Sequence, residues 1–209
     1  MRKLYLILLS ICVTTVTVNA QNDPKAKTIL DEVSSKMKTF SGVSADFSYL
    51  TKSRAGKVNS NVNGKINIKG EKYYIKQGAT EIFSNGTKTW NYNGVNEVTI
   101  TPAEDNAQAL TPQKLLTNFY DKDFTYKLVS SAGTFNEIEM RPIDKRKNFQ
   151  KVNVFIDKAK KMITKAKVLD KSNNTIEFNL KNINTNASIP DATFVFNKSK
   201  YNKNIEVIE

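Results

Sequence analysis

From Val43 to Asn182 the chain repeats one pattern: short runs of alternating apolar and polar residues, each ended by Gly, Asn or a small cluster of charges. A period of two sends successive side chains to opposite sides of an extended strand. Such runs are stable only when paired into a sheet with one side covered. Phe47 and Tyr49 alternate with polar neighbours, as do Val62, Gly64, Ile66 and Ile68. Val152, Val154 and Ile156 alternate with Lys151, Asn153 and Phe155, and Ile176, Phe178 and Leu180 with Thr175, Glu177, Asn179 and Lys181. Tyr73 and Ile75 share one side of a further strand, with Tyr74 on the other. The plainest turn is in Glu81–Gly94, EIFSNGTKTWNYNG, where Asn85-Gly86 supplies the positive φ angles of a tight hairpin. Trp90, the single tryptophan, shares a strand side with Tyr92. Whether Trp90 lies with Ile82 or with Glu81 depends on the loop length, because a one-residue slip exchanges the two sides.

Before the first strand, Asp23-Pro24 forms a helix start, with Asp23 as cap and Pro24 in the first turn. Ala26, Ile29, Leu30, Val33, Met37 and Phe40 follow at helical spacing as one apolar stripe, and Ser41-Gly42 ends it. Residues 101–113 interrupt the strands with Pro102 and Pro112. A short helix is predicted over Pro112–Tyr120, capped by Thr111, with Leu115, Leu116, Phe119 and Tyr120 on its apolar side. Further strands are read at Phe124–Ser130, Glu137–Arg141, Lys151–Asp157, Met162–Leu169 and Thr175–Asn182. No repeat or linker divides the chain. The expected fold is mainly β, of the α+β class. It is a single curved antiparallel sheet forming an open half-barrel, covered by the N-terminal helix and an inserted lid helix.

Residues 1–20 read as an export signal: Arg2 and Lys3, an apolar run over Leu4–Val18, then Val18-Asn19-Ala20 before the cut. A membrane anchor is the competing reading, against which stand the polar Ser10, Thr14, Thr15 and Thr17 and the short length. Lipidation at Cys12 is a third, for which Ile11 is a poor preceding residue. Cleavage after Ala20 leaves 189 of the 209 residues, enough for one domain over 21–209, and removes the only cysteine. Arg2 and Lys3 account for two of the net +12, so the exported chain carries +10. That charge favours anionic partners, membrane head groups among them. An equally good account is that its scattered lysines are solvated strand sides and edge protection. No nucleic-acid-binding motif is present, and a monomer is expected.

The chain has no histidine, which removes Ser-His-Asp and Cys-His catalysis and most zinc and copper sites. No phosphate-binding glycine loop occurs. The carboxylate pairs Asp121 with Asp123, and Glu137 with Glu139, have nothing placing them across a substrate. Glu137 and Glu139 alternate with Ile138 and Met140 and read as the solvent side of a strand. Neither enzyme chemistry, nor a cofactor, nor a metal is expected.

Several segments together resemble the outer-membrane lipoprotein carrier (LolA) family in a divergent form, over Pro24 to Val207. Met37–Gly42 leads from helix to the strand Ala45-Asp46-Phe47-Ser48-Tyr49, similar to the family's helix and "xFxQ" strand. Gly64–Lys69 is similar to its "G-x-hydrophobic" strand, Ser84–Asn93 to its "DGKxxWxYxP" block, and Thr193-Phe194-Val195-Phe196 to its late "FxF" strand. The resemblance implies a periplasmic protein of a Gram-negative envelope. It would take acylated lipoproteins from an inner-membrane ABC transporter, shield their acyl chains in an apolar cavity, and pass them to the outer membrane, where a receptor is a further candidate partner. The implied cavity residues are Phe47, Tyr49, Ile66, Ile68, Tyr74, Trp90, Met140, Val152, Val154, Ile176 and Phe178, under a lid bearing Leu115, Leu116 and Phe119. Tyr74 and Trp90 match aromatic positions of the family. For each of these residues taken singly, packed core under the helices is the plainer reading. One departure is Gly70, where family members carry an arginine that bonds to the lid. A carrier of another lipid or glycolipid, and an envelope-stress sensor built on the same half-barrel, are the alternatives.

Overall fold

The alternating runs become strands, and the strands form one open sheet. The computed structural model describes residues 22–103, 120–201 and 204–209. Helix α1 (Pro24–Lys38) precedes β1 (Val43–Lys52), β2 (Val58–Lys69), β3 (Lys72–Gln77), β4 (Thr80–Ser84), β5 (Lys88–Tyr92) and β6 (Glu97–Pro102). A single helical turn α2 (Tyr120–Asp123) leads into β7 (Phe124–Ser130), β8 (Phe135–Pro142), β9 (Phe149–Asp157), β10 (Met162–Asp170) and β11 (Thr175–Asn184), and β12 (Glu206–Ile208) closes the order. The leader, residues 112–119 of the helix predicted over Pro112–Tyr120, and the lid residues Leu115, Leu116 and Phe119 lie outside the described residues.

Among the described residues 12 strands are ordered β12-β6-β5-β4-β3-β2-β1-β11-β10-β9-β8-β7. Two antiparallel meanders, β1–β6 and β7–β11, are joined where β1 pairs with β11. Among the described strands only β12 runs parallel to its neighbour, β6. The sheet is curved and open, and α1 packs on one side of it, over the β7–β10 half.

Asp23 fixes where that helix sits. Its Oδ1 accepts the backbone N–H of Lys25 at 2.8 Å and of Ala26 at 3.4 Å, capping α1 as the sequence predicts. Its Oδ2 accepts the Leu128 N–H at 3.0 Å, while Asn22 Oδ1 accepts that of Tyr126. The hydrogen bond from Leu128 holds the Asp23 carboxyl below the usual carboxylate range. One side chain thus starts the helix and occupies a donor of the edge strand β7, which would otherwise invite pairing with another chain. Tyr120 of α2 donates to Asp31 of α1 at 2.7 Å, and Lys161 in the β9–β10 turn pairs with Glu32 at 3.0 Å.

One turn differs in mechanism from the expectation. In the β4–β5 hairpin only Gly86 takes a positive φ, of 91°. Asn85 instead uses its side chain, whose Oδ1 accepts the N–H groups of Thr87 and Lys88 at 2.9 and 2.8 Å. Gly70, with φ 58°, forms the β2–β3 turn, where a side chain would be strained.

The late "FxF" segment is not a strand. Asp191–Phe194 forms a 3-10 turn, as does Lys198–Lys200, in a strap that leaves β11 and crosses the other side of the sheet. Ala187 N–H bonds to the Gly42 carbonyl at 3.1 Å, and Asp191 is held by Lys69 and Lys72 at 2.9 and 3.1 Å. The strap ends in β12 on the edge of β6.

Gly64 is required by close approach. A Cβ there would lie 2.3 Å from the Lys76 carbonyl oxygen and 2.5 Å from Cζ of Phe47. Phe47 is itself stacked on Phe178 with ring centroids 5.7 Å apart, so it has little room to give way. Gly64→Ala is expected to destabilise the fold by about 1–3 kcal/mol, read as a lower denaturant midpoint at unchanged slope.

Candidate functional site

Cross-strand pairing defines the inner side of the sheet residue by residue, because directly opposed residues share a side. One row runs Leu128, Ile138, Val154, Ala166, Phe178, Tyr49 and Val62, across β7, β8, β9, β10, β11, β1 and β2. The next runs Tyr126, Met140, Val152, Val168, Ile176 and Thr51. Beside them, Val43 meets Ile68 and Tyr73, and Ala45 meets Ile66 and Ile75. The result is a continuous apolar floor over eight strands, into which α1 sets Ala26, Leu30 and Val33.

Nine of the eleven candidate residues share this floor: Phe47, Tyr49, Ile66, Ile68, Met140, Val152, Val154, Ile176 and Phe178. Ile66, Met140, Val152 and Val154 are fully buried; Tyr49 and Ile176 are half-buried. Tyr74 and Trp90 do not belong with them. Tyr74 pairs with Phe83 and Phe83 with Trp90, a row one residue out of step with Ile75 and Ile82, so both aromatics project from the outer side. Trp90 therefore lies with Glu81 rather than with Ile82.

The reason is a change of phase. Over β4–β6 Ile82 alone of the large apolar residues keeps to the inner side, while Phe83, Trp90, Tyr92, Val98 and Ile100 face outward. There the strap covers them with Phe196, Tyr201 and Ile205. Rings of Phe196 and Tyr201 stack at 4.8 Å, Tyr201 meets Tyr92 at 4.7 Å, and Phe196 meets Phe83 edge-on at 5.8 Å.

Glu81 is the polar centre of this outer cluster, a role that its place in the sequence does not announce. It is 6% exposed and accepts hydrogen bonds from Tyr74 at 2.7 Å, Lys76 at 2.8 Å and the Tyr201 hydroxyl. Burial pushes the carboxyl up, but the bonds from Lys76, Tyr201 and Tyr74 outweigh it and hold it below the usual carboxylate range. Burial, then the carboxylate, pushes both tyrosine hydroxyls up. A signal existed in the spacing: Phe194, Phe196, Tyr201 and Ile205 form a late apolar group with no sustained alternation of its own, which needs a surface to cover.

Elsewhere the outer side is basic and polar. Lys65, Lys165, Lys167 and Lys181 project from β2, β10 and β11. Glu137 and Glu139 do share this side, but Glu139 is only 7% exposed, ringed by Lys151 at 2.9 Å, Arg141 at 3.0 Å and Lys127 at 3.6 Å. Glu137 accepts from Asn153 at 2.8 Å. These are cross-strand charge contacts that solvate a sheet surface. Among the described residues no group of three His, Cys, Asp or Glu could hold a metal ion.

An open curved sheet with an apolar floor and a helix laid on it marks a class of half-barrel fold. The family comparison gives that class its name. Residues 38–197 match the family described as outer membrane lipoprotein carrier protein LolA, and the chain belongs to that family. Proteins of this family are carriers and binding proteins of the bacterial envelope. Among curated proteins none matches this chain. Solved structures share the fold at low identity. A conserved protein from Thermus thermophilus is 14% identical with a TM-score of 0.59, covering 88% of this chain and 98% of its own. A putative outer membrane lipoprotein-sorting protein domain from Vibrio parahaemolyticus is 14% identical with a TM-score of 0.50, covering 80% and 94%. MucB is 12% identical with a TM-score of 0.54 over 88% of this chain, which spans 65% of MucB.

The Glu81 contacts set a pH dependence. A carboxyl whose folded value is lowered contributes stability above its unfolded value, about 4.3, and that stability is lost as pH falls through the folded value. Acidification from pH 6 toward pH 3 is expected to loosen the strap, read as a change in fluorescence of the sole tryptophan, Trp90. Glu81→Gln should weaken the strap at neutral pH by about 1–3 kcal/mol and flatten that acid transition.

Proposed function

We propose that this protein is a periplasmic carrier that shelters the acyl chains of lipoproteins on its apolar floor while they cross from the inner to the outer membrane. The observation that carries the reading is the continuity of that floor: two unbroken rows of largely apolar side chains crossing six or seven strands, with no charged residue among them. Each buried methylene contributes about 0.8 kcal/mol, so a long chain binds tightly to such a surface without any specific polar contact. Membership of the lipoprotein carrier family supports the same assignment.

In this reading Phe47, Tyr49, Ile66, Ile68, Met140, Val152, Val154, Ile176 and Phe178 contact the acyl chains. Several are fully buried, so uptake requires α1 to move off the floor. The half-buried Tyr49 and Ile176 are where a chain gains contact first. The half-barrel is loaded by an inner-membrane transporter and unloaded at the outer membrane, and release is driven by transfer of the chains into a bilayer, which buries them at least as well. Export through the signal over residues 1–20 places the protein between the two membranes.

Native mass spectrometry of the protein purified from a lipoprotein-producing host, before and after mild detergent, tests this directly. Co-purifying acylated cargo that detergent removes is the expected result. A bare chain that also fails to take up a fluorescent fatty acid would overturn the reading in favour of a filled core. In a series of fatty acids, affinity should rise about fourfold per added methylene. Ile176→Asn should weaken the whole series while leaving the chain folded.

A further inference from the structure

The floor does not stay apolar across the whole sheet. Beyond β3, the row Val43, Ile68 and Tyr73 continues as Ser84, Thr89 and Thr101. The row Ala45, Ile66, Ile75 and Ile82 continues as Asn91 and Thr99. Three adjacent strands therefore present hydroxyls and an amide on the side where the other strands present hydrocarbon.

Threonine suits strands for its branched side chain, which accounts for some of these residues. It does not account for Thr89. That side chain is 1% exposed, yet its Oγ1 has no hydrogen-bond partner. Ser84, equally buried and directly opposite, already accepts the Gly86 N–H at 3.3 Å. Valine would fill the Thr89 position with the same shape and no desolvated hydroxyl. A buried polar atom left unpaired is uncommon in a native fold, and a bound ligand with an acceptor is one way to satisfy it.

We propose that Ser84, Thr89 and Thr101, flanked by Asn91 and Thr99, form a subsite for the ester-bearing glyceryl end of a diacyl ligand whose chains lie along the apolar floor. The proposal rests on the carrier reading and adds to it the orientation of the cargo. The Thr89 hydroxyl donates to one of the two ester carbonyls, the strong acceptors that such a ligand carries at the head of its chains. With strands about 4.8 Å apart, the floor from β3 to β9 is about 24 Å wide, the order of a long acyl chain's extended length. A ligand anchored by its glyceryl end on β4–β6 thus lays its chains across β3, β2, β1, β11, β10 and β9. The diacylglyceryl group is common to free lipids and to the lipid anchor of a lipoprotein.

The test compares wild type, Thr89→Val and Thr89→Ser for displacement of a bound hydrophobic dye by dipalmitoylglycerol, by a diacylglyceryl-cysteine peptide and by a long n-alkane. Thr89→Val should bind the two ester-bearing ligands about five- to thirty-fold more weakly and the alkane as wild type does. Thr89→Ser should retain wild-type affinity within about twofold. Thr89→Val should also melt at or above the wild-type temperature, since it removes an unpaired hydroxyl, so a loss of binding is not a loss of fold. Tighter binding of the peptide than of dipalmitoylglycerol identifies the protein-borne anchor as the source, and the reverse identifies a free lipid. Equal losses for esters and alkane, or no loss for any, would overturn the subsite while leaving the carrier reading standing. Failure of the wild type to bind all three overturns the carrier reading and the subsite with it.

Discussion

The pairing of β1 with β11 holds this structure together. Phe47 lies opposite Leu180 and Tyr49 opposite Phe178, contacts that span most of the chain and that make one sheet from two meanders. Without them each meander would carry half a floor and an exposed apolar edge. With them the floor rows continue unbroken from β7 to β2, and α1 has a surface wide enough to cover. Closing so long a loop costs chain entropy, and the side-chain contacts along the seam, including the Phe47–Phe178 stack, offset it.

The second constraint is the change of phase between β3 and β4–β6. On eight strands, and at Ile82 of β4, the hydrocarbon faces the side that α1 covers; over the rest of β4–β6 it faces the strap. A sheet covered on opposite sides at its two ends leaves an inner surface that passes from apolar to hydroxyl-lined without a break. Glu81 stabilises this arrangement because it gathers Tyr74, Lys76 and Tyr201 from the sheet and the strap onto one buried carboxylate. A buried charge is tolerable only when so fully satisfied, and its bonds fix the strap's position more sharply than apolar contact alone could.

Much of the fold is legible in the sequence because its signals are local. Asp23-Pro24 starts α1, and the strands fall where period-two alternation and the following turn residues place them. The nine floor residues group together because each belongs to a run whose phase is unambiguous. Tyr74 and Trp90 depart from the expectation for the opposite reason: aromatic residues in a strand are apolar enough for either side, and the neighbouring Thr89 and Asn91 give the only hint that Trp90 faces outward. Asn85 and Gly86 do form a turn, but Asn85 acts through a side-chain cap where the sequence suggests backbone angles. The "FxF" segment alternates like a strand, yet becomes a 3-10 turn in a strap, since Phe194 is buried against the sheet rather than paired within it.

Local signals in the chain specify the strands, the helix start, the lack of histidine-based chemistry and the alternation that divides each strand into two sides. Those properties depend on residues within a few positions of one another. Which side of each strand is inside is settled by packing between distant parts of the chain. That choice rests on what arrives to cover it, and the covering groups come from α1 at one end of the chain and from the strap at the other. Period two fixes that a strand has an apolar side; the non-local partner fixes which way that side points.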